Sequence, residues 1–577
     1  MSATPLPNPW YYLDNFEFVL AWVAQRYSDL LNETERGFID DFIGLERSSR
    51  ALLVRMVMRK GSLFRASKLN YAEIGQTRCA MAPLLDLGWV LDQPNISLQD
   101  LFRLLTRTEI AQLFEPLLAS ADLKTATKGA QLEHLLAGAP APRSLAHWLE
   151  LAAVSPDASH TESARIPALP DTLSQDSIYH VDVLALCDRL RLMFFGNLRQ
   201  DWSEFVLADL GLYTYERVDF SAEARAFVSR EEVNDYLHLH QCREALELAQ
   251  DDVAFAEALA AIPVRPYTSD WLESRRARLW YRAGQHCERR QNWPRALDCY
   301  AASTERNARA RHIRMLERQH QYPQALDLTQ AVLQHPTSEA EHQAVLRMLP
   351  RLQKRCGHPA SLKPARCPAR LLHLNLHVPA IPTRVEEQVC NHLYQPDAPA
   401  YYVENTLLNS LFGLLCWNAI FASIPGAFFH PFQHGPADLL HSNFRERRRA
   451  LFSDCLAQLT HGDYRQTIMR NFNTKQGMQS PFVSWNMLSP ELLGLALCCI
   501  PANHLRVMFS RLLDDIRENR SGLPDLVQFW PADRRYRLIE VKGPGDRLQD
   551  NQVRWLTFCE AHGIDTLVCH VKRPAST

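Results

Sequence analysis

The 577-residue sequence predicts a multi-domain chain, mostly α-helical through its N-terminal and middle regions and ending in an α/β domain with a mixed sheet. Three observations predict it. Apolar residues recur with helical spacing as far as about Arg384, with few β-branched runs. Two Pro-rich stretches, about Ser155 to Ser174 and about Gly357 to Thr383, read as linkers. Beyond Gly522 two β-rich runs, LPDLVQFW and RYRLIEVKG, flank the turn PADR; a helix (Arg547 to about His562) and a last strand, DTLVCHV, follow.

The length suits three to five domains, at roughly 100–200 residues each. Apolar residues at 46% and charged residues at 22% exclude a disordered or fibrous chain. Lys and Arg (63) nearly balance Asp and Glu (65), so nucleic-acid binding has to come from local patches. Fourteen scattered cysteines without a CxxC pair, and an N-terminus unlike a signal peptide, indicate reduced thiols in a cytoplasmic protein, nucleoid-associated if bacterial. Leu407 to Phe429 carries no charge over 23 residues, but Asn409, Ser410, Asn418 and Pro425-Gly426 mark it as a buried helix rather than a membrane span.

In the middle region Trp293-Pro294-Arg295-Ala296-Leu297 recurs as Tyr322-Pro323-Gln324-Ala325-Leu326, with Arg243-Glu244-Ala245-Leu246 a degenerate earlier copy. An aromatic-Pro-x-Ala-Leu element at the start of a second helix resembles tetratricopeptide-type hairpins. An irregular helical domain with a chance repeat is the alternative.

Asp525, Glu540 and Lys542 carry the chemistry. Asp525 opens the first strand of the hairpin, and Glu540 and Lys542 stand on one face of the returning strand, as i and i+2 must. Two carboxylates at a sheet edge suit Mg²⁺ or Mn²⁺, with the Val541 carbonyl as a further oxygen ligand. The pattern P-D-x14-E-V-K is that of PD-(D/E)xK nucleases; alone it is weak, but the apolar neighbours of Glu540 and Lys542 bury it and demand a compensating ion. On the next helix Asp546 reads as N-cap, and Gln552 lies on the apolar stripe as a core amide or as a residue near the attacking water. Glu404 precedes Leu407, Leu408, Leu411 and Leu415 at helical spacing, which places it on a buried helix face as a third metal ligand.

Basic residues cluster three times. Arg47, Arg50, Arg55, Arg59, Lys60, Arg65 and Lys68 lie in a stretch with no acid, a local charge of +7. Trp271 to Arg318 holds twelve arginines against five acids, and Arg445, Arg447, Arg448 and Arg449 form a third group. Such patches grip a duplex by its phosphates, and without a base-reading motif they predict recognition of DNA shape. Cys356-Gly357-His358 with Cys367 has the wrong spacing for structural zinc, and His430 and His434 read as ordinary core or surface histidines.

These residues resemble a known family. GLPDLVQFW…YRLIEVKGPGDRLQDNQVRWL is similar to the VRR nuclease domain of the Fanconi-associated nucleases. So are Glu404-Asn405 leading into LLNSLFGLLCWNAIF, Val483-Ser484-Trp485, Arg517-x-x-Arg520-Ser521-Gly522 and, outside the nuclease, ALLVRMVMRKGSLFRASKLNYAEI from Ala51 to Ile74. Leu105 to Leu136 resembles a SAP helix pair. The resemblance implies a helical DNA-binding region over residues 1–90, a SAP-like domain over 91–165, a tetratricopeptide-like domain over 166–375 and the nuclease over 376–577. It implies 5′-flap endonuclease and 5′-to-3′ exonuclease activity on branched double-stranded DNA in interstrand crosslink repair, with Arg517 and Arg520 near the DNA. Lys542 would orient the attacking water or stabilise the pentavalent phosphate. A four-way-junction resolvase and a non-catalytic branched-DNA scaffold are the rival readings. No Cys/His cluster matches the animal members' ubiquitin-binding zinc finger, and Asn551 stands where they carry a lysine.

Overall fold

A computed structural model describes residues 8–123, 125–137, 141–153, 173, 176–221, 224–359, 370–376 and 383–572. They form two compact units: residues 1–212 with 225–227, and residues 213–224 with 228–577.

In the first unit, helices Tyr11–Arg26, Glu33–Gly44 and Arg47–Val57 bury Phe16, Val19, Phe42, Leu52 and Leu53. Asn32 and Glu35 close a capping box at the start of the second helix. The unit also holds a three-stranded antiparallel sheet of β1 (Leu63–Arg65), β2 (Val90–Asp92) and β3 (Ile178–Val181), with β3 in the centre. Residues 178–195, read from the sequence as part of the middle domain, therefore belong to this unit: β3 joins its sheet, and helix Leu184–Phe195 packs on Tyr11–Arg26. Helices Leu98–Leu104, Arg107–Leu113 and Lys128–Leu136 occupy the SAP-like stretch, the second opened by a Thr106–Glu109 capping box. The linker read at Ser155 to Ser174 lies outside the described residues except for Leu173, which is buried against the cluster around Leu101 and Phe114.

The second unit begins with helical hairpins: Arg230–Leu248 with Asp252–Ala260, Asp270–Arg289 with Trp293–Ala301, and Ala308–Arg318 with Tyr322–Gln334. Both copies of the repeated motif open a helix with Pro in the first turn, where its missing N–H is tolerated. Ala296 and Ala325 are fully buried at the helix crossings. Arg243–Leu246, the supposed third copy, lies inside the Arg230–Leu248 helix instead of starting one.

The nuclease sheet has the order β4-β8-β7-β6-β5, where β4 is Arg370–Asn375, β5 Ala400–Tyr402, β6 Leu526–Trp530, β7 Arg535–Lys542 and β8 Thr566–Lys572. Pairs β4–β8 and β7–β8 are parallel; β5–β6 and β6–β7 are antiparallel. Strand β4 falls in the stretch read as a Pro-rich linker, of which 360–369 and 377–382 lie outside the described residues. Helix Val385–Leu393 buries Val389 against Leu526, Ile539, Val541 and Cys569 on one face. The other face, with Val527 and Phe529, joins the larger core of Trp555, Leu411 and Phe412. The uncharged run splits into two short helices, Leu407–Leu415 and Trp417–Ile420, and all nine residues of the first are buried. Among the described residues no single helix is long and apolar enough to cross a membrane.

Candidate active site

The site is built on the β6–β7 hairpin. Gly522, in the left-handed region at φ +84°, turns the chain through Leu523-Pro524 into β6, and Asp525 stands just before that strand. The ladder pairs Leu526 with Ile539, so Asp525 falls opposite Glu540 on the same face. Val541 N–H donates to Asp525 Oδ2 at 2.8 Å, and Lys542 Nζ donates to Glu540 Oε1 at 2.6 Å. All three charged side chains are buried, Glu540 completely. No donor reaches Glu540 Oε2.

One ammonium does not balance two buried carboxylates. Burial pushes the Glu540 carboxyl up to about 8, with the neighbouring Asp525 charge adding to the rise and Lys542 opposing it. Burial also lifts Asp525 to about 6, against the lowering pull of the Val541 N–H and Lys542; Glu404 and Glu386 add to the rise. A pocket that disfavours its own negative charge, with one carboxylate oxygen lacking a donor, has the donor chemistry of a divalent-cation site.

Glu404 is not on a buried helix face. The helix begins at Leu407, and Glu404 lies in the preceding turn, half-buried, because Asn405 adopts φ +51° and breaks the helical spacing. Its carboxylate accepts from the Tyr402 hydroxyl at 2.5 Å and from Asn405 Nδ2 at 3.3 Å. Among the described residues no three Asp, Glu, His or Cys side chains close on a single point, and Glu404 acts on Asp525 through its field.

The sequence reading missed the residues that fix this turn. Asn405 Oδ1 accepts from Leu523 N–H at 3.1 Å, and Val403 N–H donates to the Asp525 carbonyl at 2.8 Å. Asn409 Nδ2 bridges the carbonyls of Asn405 (2.7 Å) and Arg520 (2.9 Å). Two asparagines thus tie the Glu404 turn to the Asp525 turn; the sole signal was an Asn, which after glycine best tolerates left-handed backbone, beside the acid. Asn405→Ala loses that tolerance and leaves Leu523 N–H without its acceptor. It should cost about 2 kcal/mol in a denaturant titration and lower the cutting rate, whereas Asn405→Gly restores part of the stability but not the rate.

Other expected site residues fare unevenly. Gln552 is the third residue of helix Asp550–Ala561, where its Oε1 accepts from Gln549 N–H at 2.8 Å in a capping box. Gln549, not Asp546, is the N-cap; Asp546 accepts from Gly543 N–H at 3.1 Å. Arg65 is buried between Asp176 (2.7 Å) and Glu109 (2.9 Å), and Arg55 pairs with Glu73 at 2.5 Å beneath Tyr12. The Arg65 side chain is 5% exposed, whereas Arg55 keeps 28%. The acid-free stretch drew its acids from elsewhere in the chain, Arg50 included, which meets Glu17. Arg59, Lys60 and Lys68 remain exposed. Arg517 meets Glu305 at 3.5 Å, and Arg520 is half-buried. The third cluster is also spoken for: Arg445 pairs with Asp514, Arg447 and buried Arg448 with Asp438, and Arg449 with Glu446.

Comparison with known proteins places this geometry. Three family models match: FAN1, HTH domain, at residues 10–91; Fanconi anemia-associated nuclease SAP domain at 95–148; and VRR-NUC domain at 459–573. A Fanconi-associated nuclease 1 homolog of Pseudomonas aeruginosa is 50% identical over 572 residues, 99% of this chain and 97% of its own. The chain belongs to the Fanconi-associated nuclease family. It is a structure-specific nuclease, and nucleases of this family generally use a divalent metal. Fanconi-associated nuclease 1 of Homo sapiens is 24% identical over 97% of this chain and 62% of the human protein. A crystal structure of paFAN1 bound to 5′-flap DNA with a 2-nucleotide flap and a gap covers 100% of both chains at a TM-score of 0.92 and 50% identity. A second, with a 1-nucleotide flap, gives 0.90 at 49% identity, covering 99% of this chain and 100% of its own. None of the three matched models is a zinc finger.

Proposed function

We propose that this Fanconi-associated nuclease is a 5′-flap endonuclease and 5′-to-3′ exonuclease acting on branched DNA in interstrand crosslink repair. The observation that carries the site is fully buried Glu540, whose Oε2 has no donor, facing the Asp525 carboxyl. Asp525, Glu540 and the Val541 carbonyl would hold Mg²⁺ or Mn²⁺, with Glu404 completing the donors. In an extended strand the N–H and C=O of one residue point to the same side, so the Val541 carbonyl shares the edge that its N–H shares with Asp525. A bound divalent ion supplies a low-pKa water and neutralises charge on the scissile phosphate.

The remaining work falls to the chain. Lys542 brings a buried positive charge beside Glu540, where it stabilises charge developing on phosphate oxygens. Gln552, in the first turn of the helix that follows this strand, would place its amide near the attacking water. Exposed Arg59, Lys60 and Lys68, with Arg517 and Arg520, would hold phosphates of the duplex arms. The 5′-flap preference rests on the flap DNAs bound by the half-identical solved relative.

End-labelled 5′-flap, 3′-flap, four-way-junction and plain duplex DNAs, incubated with Mn²⁺ or Mg²⁺ beside Asp525→Ala, test this reading. Cutting near the 5′-flap junction that needs metal and vanishes in the variant is the expected result. Symmetric junction cuts would mean a resolvase, and binding without cutting a scaffold.

A further inference from the structure

Strand β7 holds two of the carboxylates around the site: Asp525 accepts from Val541 N–H, and Glu540 accepts from Lys542 Nζ. Glu404 has no such strand beneath it. It sits in the turn after β5, where a glutamate has several rotatable bonds to fix before it can serve as a ligand. The side chain that fixes it is Tyr402.

Strand β5 runs antiparallel to β6 with Tyr402 opposite Leu526, and the bond from Val403 N–H to the Asp525 carbonyl extends that pairing by one residue. Glu404 therefore leaves the sheet one residue past Asp525. The Tyr402 ring packs against the Val389, Leu526 and Ile539 cluster, which makes its hydroxyl a fixed point. That hydroxyl donates to Glu404 Oε2 at 2.5 Å, while Asn405 Nδ2 donates to Oε1 at 3.3 Å. Short bonds to a carboxylate are the strong ones, so Tyr402 has the firmer hold. A carboxylate has about four lone-pair sites, so one bond to each oxygen sets its plane and leaves both oxygens able to take a cation. Burial and the Glu404 carboxylate push the Tyr402 phenol up to about 12, so it keeps its proton at neutral pH and acts as the donor.

We propose that Tyr402 is a positioning residue of the nuclease: its hydroxyl holds the Glu404 carboxylate in the orientation that takes the divalent ion beside Asp525 and Glu540. The inference rests on the reading of Glu404 as a metal donor. Removing the hydrogen-bond partner of a ligating group typically costs about 10- to 100-fold in metal affinity. Asn405 cannot stand in for Tyr402, because its own backbone conformation and its bond from Leu523 N–H tie it to the turn.

Mn²⁺ binding to the full chain without DNA, followed by electron paramagnetic resonance of the free ion, tests the proposal. Tyr402→Phe keeps the ring and its packing. It should weaken Mn²⁺ binding at least about tenfold. In flap cleavage the half-saturating Mn²⁺ concentration should rise by the same factor, while the rate at saturating Mn²⁺ stays within about threefold of wild type. Glu404→Gln should weaken binding as well, and adding Tyr402→Phe to it should change the affinity by less than about twofold, because the hydroxyl acts through that carboxylate. Wild-type Mn²⁺ affinity in Glu404→Gln would remove Glu404 from the ligands and the proposal with it. Weakened binding in Glu404→Gln beside wild-type affinity in Tyr402→Phe would leave that ligand in place and overturn the role of Tyr402. An equal loss from Tyr402→Phe in both backgrounds, or a lost rate that saturating Mn²⁺ does not restore, would mean a structural residue and also overturn it.

Discussion

In a Glu540→Gln variant, flap cleavage falls by at least about a thousandfold while the metal-free protein melts several degrees higher at pH 8. The two effects share one cause. Glu540 is fully buried, and its carboxyl is pushed up to about 8 by burial and by Asp525. The unfolded chain releases that proton near the ordinary value of 4.5. Between these values the folded protein binds more protons than the unfolded one, so stability falls as pH rises from about 4.5 to about 8, and the penalty is complete above that. Glutamine carries no charge to desolvate and escapes the penalty. Melting curves of the chelator-treated wild type and variant should therefore coincide near pH 4 and separate progressively up to pH 8–9. Adding Mn²⁺ should raise the melting temperature of the wild type far more than that of the variant. A variant that melts no higher than wild type at pH 8 would show that Glu540 is not held against its charge.

Gly522→Ala should be the most damaging single-methyl change near the site. The backbone there sits at φ +84°, which costs an L-residue about 1–2 kcal/mol. A Cβ would also stand 2.7 Å from Asn551 Cγ and 2.8 Å from the Asn551 backbone carbon. The second clash is with the first turn of the Asp550–Ala561 helix, which has no rotamer to change. That helix end or the turn feeding Asp525 has to move. A loss of about 4 kcal/mol in total and at least about a hundredfold in cutting is expected from denaturant titration and flap assays. Asn551→Gly in the same chain removes the side-chain part of the clash, so it should return some stability while the backbone strain persists. A Gly522→Ala protein of near-normal stability and rate would refute the close packing of these two segments.

The C-terminal hairpin was legible because its signals are local. Alternation puts Glu540 and Lys542 on one face, and the PADR turn fixes the partner strand; the ladder from Leu526–Ile539 to Trp530–Arg535 follows. The sheet of the first unit was not legible, since β3 meets strands more than 85 residues away and no strand there exceeds four residues. Glu404 shows a different failure. Its spacing to the leucines was helical, but one left-handed Asn405 moved it off the helix while keeping it near Asp525. The basic stretch around Arg65 misled for a third reason: charge counted along the chain ignores acids such as Asp176, Glu109 and Glu73 that folding delivers from other elements. Gln552 was read on the apolar stripe, but the helix starts three residues later than the Asp546 cap implied, which makes Gln552 its third residue and the partner of Gln549 in a capping box.

Strand β4 bears on how the catalytic part can be cut out for separate work. A fragment beginning at residue 376, where the sequence draws the boundary, discards Arg370–Asn375 and strips β8 of a six-residue parallel partner. Strand β8 carries buried Val568, Cys569 and Val571, so its bare backbone would lie beside apolar side chains, the combination that seeds strand-to-strand aggregation. The strand lost is itself largely exposed, with Arg370 at its outer end, and serves the sheet as a sacrificial hem. A soluble catalytic fragment accordingly has to start upstream of Arg370, and precipitation of the shorter one would be a symptom of its missing border, not of an unstable centre.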